Sequence, residues 1–259
     1  MKEKKEKLIL VTNDDGIEAK GLKTLVDILK PFGRILVVAP WQPSSGMSHA
    51  ITVKYPLRLR VVENGEIHKY YSCSGTPVDC VKMALSVLLN NEKPDLVVSG
   101  INHGSNASAS VFYSGTMAAA MEGGIVGIPS IGFSLADYSL DADFSATGNY
   151  IRLIVENTIK HGLPSGVALN VNIPAVGQEN IKGIKICRQT RGYWKEEFDK
   201  RTDPGQHDYY WLTGEFVNLE PDAEDTDEWA LKNNYISIVP VPVDLTSYTG
   251  IEALKIWKF

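Results

Sequence analysis

The first half of the chain alternates short, wholly apolar runs with stretches whose apolar residues recur at helical spacing. Leu8-Ile9-Leu10-Val11-Thr12 is followed by Leu22, Leu25, Val26 and Leu29, which predicts a strand and then a helix. Ile35-Leu36-Val37-Val38-Ala39 predicts a second strand, and Thr76-Pro77 is a helix-start signal ahead of Val78, Val81, Leu85, Leu88 and Leu89. Leu96-Val97-Val98 predicts a third strand, residues 114–120 (SGTMAAA) a closely packed helix start, and residues 130–134 (SIGFS) another buried strand. Strands that are apolar at every position need cover on both faces, as in a parallel sheet with helices on each side. The pattern therefore predicts a doubly wound α/β fold with a mostly parallel sheet.

Two regions read differently. Between residues 51 and 73, Ile51, Val53, Leu57, Leu59, Val61 and Val62 alternate loosely with polar residues, as in an antiparallel excursion. After Pro174, strand-like pieces at 184–186 and 235–239 flank a long polar and aromatic stretch from Arg188 to Glu228. Segments of that kind either serve a site or reach a neighbour. The reading is one domain over 1–259, with a core over approximately 1–175 and a β-rich extension over approximately 176–259 that ends in a helix.

Composition and charge narrow the partners. Lys and Arg total 26 against 31 Asp and Glu, a net charge of −5, and no basic run is long enough to follow a nucleic-acid backbone. The runs at 1–7 (MKEKKEK) and 220–228 (EPDAEDTDE) read as solvated ends or loops. Cys73, Cys80 and Cys187 are an odd set without a Cys-x-x-Cys pair, so reduced core thiols are expected rather than a disulfide framework or a thiolate zinc site. The charged start without an apolar stretch, and the lack of any apolar run of the ~20 residues needed to span a bilayer, give an expected cytoplasmic location.

The residues that carry chemistry gather at the ends of the predicted strands. Residues 11–16 (VTNDDG) put Asp14 and Asp15 side by side at the carboxyl end of the first strand, where open α/β sheets bind ligands. Adjacent carboxylates repel unless a proton or a cation intervenes, and a hard divalent ion with oxygen ligands suits them, although Asn-Asp-Asp-Gly is also a serviceable helix N-cap. The second strand leads into residues 41–49 (WQPSSGMSH), a loop with hydroxyls to offer and also ordinary turn chemistry. The third leads into residues 99–106 (SGINHGSN), rich in glycine and amide. Residues 113–116 (YSGT) then open a helix, where free N–H groups favour a phosphate. What raises these loops above turns and caps is their arrival at one sheet edge with acidic, hydroxyl, amide and anion-binding groups together.

These motifs resemble the SurE (stationary-phase survival protein) family. The resemblance runs through residues 11–22 (VTNDDGIEAKGL), 44–52 (SSGMSHAIT), 74–81 (SGTPVDCV), 94–106 (PDLVVSGINHGSN), 113–123 (YSGTMAAAMEG), 128–134 (IPSIGFS), 170–174 (NVNIP) and 235–246 (YISIVPVPVDLT). It implies a Rossmann-like fold, hydrolysis of nucleoside 5′- and 3′-monophosphates and of short polyphosphate, and one divalent ion, Mg²⁺ or Mn²⁺, per subunit. It also implies homodimers or homotetramers joined through extended arms. Carried onto matching positions, it implies Asp14, Asp15, Ser45 and Asn102 as metal ligands, with Asp14 and Asp15 catalytic, and Asn106, Ser114, Gly115 and Thr116 around the phosphate. Two positions depart from the family: Ser44 replaces a usual Arg, and His103 stands where Arg is frequent, which leaves the pocket less cationic than usual, although Arg188, Arg191 or Lys195 could supply charge from the later segment.

His103 is expected to contact phosphate or leaving group and His49 to play a structural part, while His68, His161 and His207 read as surface residues. Tyr193, Trp194, Tyr209, Tyr210 and Trp211 are expected in core or interface rather than against a base. A nucleotide-binding module without catalysis is the alternative from another class. A dinucleotide oxidoreductase is disfavoured because the first βα turn lacks Gly-x-Gly-x-x-Gly.

Overall fold

The computed structural model describes residues 6–90, 92–139 and 141–258; five of the seven residues in the charged run at 1–7 lie outside them. Each apolar run becomes a strand: β1 (Leu8–Thr12), β2 (Arg34–Pro40), β5 (Leu96–His103), β6 (Ser130–Leu135) and β7 (Val167–Ile173), with β3 (Leu59–Asn64) and β4 (His68–Cys73) inserted after β2. β8 (Gly183–Ile186) and β11 (Tyr235–Pro242) follow β7 in the same sheet, in the order β3-β4-β2-β1-β5-β6-β7-β11-β8. From β4 to β7 every neighbouring pair is parallel. β3 pairs antiparallel with β4, and β11 pairs antiparallel with β7.

The continuous apolar runs are explained by two cores, one on each face. Ile9, Val11, Ile35, Val37, Leu96 and Val98 point into one cluster with α1 (Lys20–Leu29) and α4 (Gly148–His161). Their neighbours Leu8, Leu10, Leu36, Val38 and Val97 point into the other, under α2 (Pro77–Met83) and α3 (Gly115–Ile125). Successive side chains on a strand alternate faces, so only a sheet covered on both sides buries them all. Leu25 and Leu29 of α1 have no exposed surface, and burying a side chain of that size contributes about 1.5–3 kcal/mol.

The structure corrects the sequence reading in three places. Residues 51–58 form no strand; of the expected antiparallel excursion only β3 is antiparallel, and β4 continues the parallel stack beside β2. The helix expected through Leu89 changes to a π-type turn after Met83. The sheet also runs on past residue 175, because β8 and β11 extend it, and only the hairpin of β9 (Gly192–Thr202) and β10 (Asp208–Asn218) forms a separate two-stranded sheet. Two short helices complete the chain, α5 (Asp227–Lys232) and α6 (Tyr248–Leu254).

The order of strands positions the site. The chain leaves β1 for β2 and β4 on one side, then returns to place β5 on the other side of β1. The carboxyl ends of β1 and β5 therefore flank a topological switch point, where the outgoing loops diverge and leave a crevice.

Candidate functional site

Asp14 leaves β1 at this crevice and is 3% exposed. Its neighbour across the crevice is the first turn of α3, where Gly115 allows a close approach: a Cβ there would lie 2.9 Å from the Asp14 Cβ. Thr116 Oγ1 donates to Asp14 Oδ1 at 2.6 Å. Burial, with a further contribution from the charge of Asp15, raises the Asp14 carboxyl to about 6, and the bond from Thr116 works against that rise. The Asp15 carboxyl is raised too, by burial, while His103 favours its ionised form through its charge and backbone N–H. Asp15 Oδ2 is fully buried and has no hydrogen-bond partner.

Asn102 presents a third oxygen. Its amide nitrogen donates to the carbonyls of His103 at 3.1 Å and Gly104 at 2.8 Å, which fixes the side chain so that Oδ1 faces the acids. Oδ1 lies 3.5 Å from Thr116 Oγ1, whose single proton goes to the closer Asp14. Ser45 rides on a loop held to the acid pair by a bond from the Ser44 amide to the Asp14 carbonyl at 2.7 Å. Beyond Ser45, His49 Nε2 meets the buried Glu122 at 3.1 Å, and Lys82 donates to the same carboxylate at 2.6 Å. That charge cluster anchors the loop to α3, the structural part expected of His49.

Asp14, Ser45, Asn102, His103, Asn106 and Ser114 line one cavity of about 350 Å³. Ser114 caps α3 by accepting from the Met117 amide at 3.0 Å. Gly115 and Thr116 lie one layer beneath the cavity wall, against Asp14. Asn106 is held by a ladder of amides: its backbone N–H donates to Asn172 Oδ1 at 2.7 Å, Asn172 donates to Asn170 Oδ1, and Asn170 donates back to the Asn106 carbonyl at 2.8 Å. The Asn106 side chain spends one N–H on Ser134 Oγ at 2.8 Å. His103 Nδ1 sits 3.0 Å from the Ser139 carbonyl, which can only accept, so Nδ1 carries a proton and Nε2 is left for a ligand.

Arg188, Arg191 and Lys195 are absent from the cavity wall, and Arg188 is engaged with Glu220 and, at 2.8 Å, with Asp225. Trp194, expected in core or interface, lines the cavity together with Tyr113, Tyr138, Glu196, Leu212 and Thr213. The sequence reading did not place Tyr138, Trp194 or Glu196 at the site. The one signal for the hairpin that carries Trp194 and Glu196 is the turn sequence Asp203-Pro204-Gly205, which reverses the chain between β9 and β10.

The donor set is made of oxygen. Among the described residues no group of three or more His, Cys, Asp or Glu side chains is arranged to hold a metal ion. The crevice instead offers two carboxylates, an amide oxygen and a hydroxyl, with Asp15 Oδ2 unpartnered. Such a set fits a hard divalent cation.

The comparisons with known proteins give the family. A family model described as "Survival protein SurE" matches residues 9–196. The chain belongs to the SurE family. A SurE relative from Christiangramia forsetii, named 5′-nucleotidase SurE, is 58% identical over 257 residues, covering 98% of each chain. Another of that name from Flavobacterium psychrophilum is 56% identical over 252 residues, covering 96% of this chain and 97% of its own. Among solved structures, the SurE protein from Aquifex aeolicus superposes with a TM-score of 0.83 at 40% identity, covering 96% of this chain and 98% of that one.

Proposed function

We propose that this chain is a cation-dependent phosphatase that releases phosphate from nucleoside 5′-monophosphates, with 3′-monophosphates and short polyphosphate as further substrates. The observation that carries this reading is the oxygen cluster of Asp14, Asp15 and Asn102 at the switch-point crevice, with Asp15 Oδ2 buried and unpartnered, beside a cavity large enough for a nucleotide that Asp14 and Asn102 line. The names of the relatives point to the same substrate class.

Asp14, Asp15, Ser45 and Asn102 would hold the ion. When bound there, Mg²⁺ or Mn²⁺ would neutralise the acid pair, polarise the phosphoryl oxygens and make a water a better nucleophile. Asp15, with a buried oxygen free of protein donors, orients the attacking water. Ser114 and the second N–H of Asn106 hold phosphate oxygens at the start of α3, where the helix dipole favours negative charge. His103 Nε2 faces the leaving oxygen and, when protonated, supplies its proton. The products are a nucleoside and inorganic phosphate. Among the described residues no helix is long and apolar enough to cross a membrane. A cytoplasmic enzyme working as a homodimer or homotetramer completes the proposal.

The test is phosphate release from a panel of nucleoside monophosphates with Mg²⁺, with Mn²⁺ and with EDTA, in the natural chain, Asp14→Asn and Asn102→Ala. The expected result is turnover abolished by EDTA and restored by the ion, and a loss of about 10²–10³-fold in Asp14→Asn with the fold intact, the order of effect of removing one pre-organised electrostatic group. Full turnover in EDTA, or in both variants, would refute the reading.

A further inference from the structure

The acid cluster and the α3 cap account for one end of the cavity and leave the hairpin end unexplained. Trp194 and Glu196 stand two residues apart on β9 and so share a face, and both line the cavity with Leu212 and Thr213 of β10. Trp194 is 37% exposed and held from two sides: its indole N–H donates to Ser110 Oγ at 3.3 Å, and its ring meets Phe216 edge-on at 5.9 Å. Ser110 lies in the turn just before Ser114, so the indole is tied to the segment that opens α3. Across the cavity Tyr138 packs on Gly104, where a Cβ would come within 2.2 Å of its ring.

Glu196 sets the polarity of this end. Its carboxylate is exposed to solvent, makes no hydrogen bond or ion pair among the described residues, and lines the cavity whose other end we propose holds a phosphate. Its cross-strand partner is Gly214, at φ +143°, where a Cβ would lie 2.4 Å from the Lys195 carbonyl oxygen. No side chain can therefore stand opposite the carboxylate. A phosphate is repelled by Glu196, so a ligand anchored by phosphate near Asp14 and Asn102 must turn hydrogen-bond donors toward it.

A flat apolar ring beside two acceptor oxygens is the chemistry of an aromatic base with neighbouring N–H groups. Guanine has N1–H and N2–H₂ side by side on one edge. Adenine and cytosine set an acceptor nitrogen beside their amine, and uracil sets its N–H between two carbonyls, so each would turn a lone pair toward the carboxylate. We propose that the hairpin end of the cavity is a guanine-preferring base subsite, with Trp194 stacked on the base and Glu196 accepting from N1–H and N2–H₂. This rests on the phosphatase reading for the placement of the phosphate.

The experiment compares GMP with AMP in the Mn²⁺-loaded protein, by kcat/KM and by calorimetric Kd, in the natural chain, Glu196→Gln and Trp194→Ala. The natural chain should favour GMP, and Glu196→Gln should cut the GMP-to-AMP ratio about tenfold, the order of effect of one mispaired recognition group. Trp194→Ala should lower kcat/KM for both nucleotides about tenfold relative to ribose 5-phosphate, chiefly through KM, with Trp194→Tyr restoring most of it. A GMP-to-AMP ratio at or below one in the natural chain, or unchanged in Glu196→Gln, overturns the subsite. A protein that releases no phosphate from any of the three compounds refutes the phosphatase reading instead, and the subsite then stands or falls on the Kd ratio.

Discussion

Burial and the charge of Asp15 push the Asp14 carboxyl up to about 6, while Thr116 Oγ1, at 2.6 Å, holds it down. That hydroxyl also decides how the oxygens are shared: it donates to Asp14 at 2.6 Å and only at 3.5 Å to Asn102 Oδ1, which keeps most of its accepting capacity for a ligand. Thr116→Val should therefore lower kcat/KM for nucleoside monophosphates about tenfold while Thr116→Ser keeps most of it, since a neutral-to-charged hydrogen bond is worth about 1.5–3 kcal/mol. Equal loss in both variants would show that Thr116 acts by packing alone. Asp14, Asp15 and Asn102 could be singled out in the sequence because they follow the runs ending at Thr12 and Val98 by two, three and four residues. Trp194 and Glu196 could not: nothing in a local pattern says which face of an exposed hairpin turns toward a cavity built from the other end of the chain.

The strands of the main sheet were legible because full burial demands continuous apolar runs, and β1, β2 and β5 follow that demand closely. β9 and β10 carry no such signal, for the converse reason. Most of their residues are exposed on both faces, so no alternation marks them. What fixes the root of that hairpin is α5, whose first residue, Asp227, is fully buried and accepts from the Ser108 amide at 2.8 Å, the Thr190 amide at 2.9 Å and the Thr190 hydroxyl at 2.6 Å. Asp227→Ala orphans three buried donors and should cost about 3 kcal/mol or more of stability, read from denaturant unfolding. Next to it, burial and the charge of Asp227 push Glu228 up to about 7. A carboxyl raised in the folded state stabilises the fold below its ordinary value of 4.5, and that contribution is lost as pH rises through 7. The melting temperature of the natural chain should accordingly fall relative to Glu228→Gln between pH 4.5 and 7. A constant difference across that window would contradict the assignment.

Taken as a whole, the molecule carries a net charge of −5, yet the crevice at the switch point between β1 and β5 gathers further acid where the proposed substrate brings a phosphate. Two negative partners can share that crevice only if something positive joins them, and among the described residues no lysine or arginine lines the cavity. We propose that a divalent ion held by Asp14, Asp15, Ser45 and Asn102 is what joins them. Titration of the metal-free protein with Mn²⁺, followed by electron paramagnetic resonance of the free ion, tests this without any turnover. The expected result is one saturable site per chain, abolished in Asp14→Asn and weakened in Asn102→Ala. A site that fills equally well in Asp14→Asn, or no saturable site in the natural chain, would contradict the account.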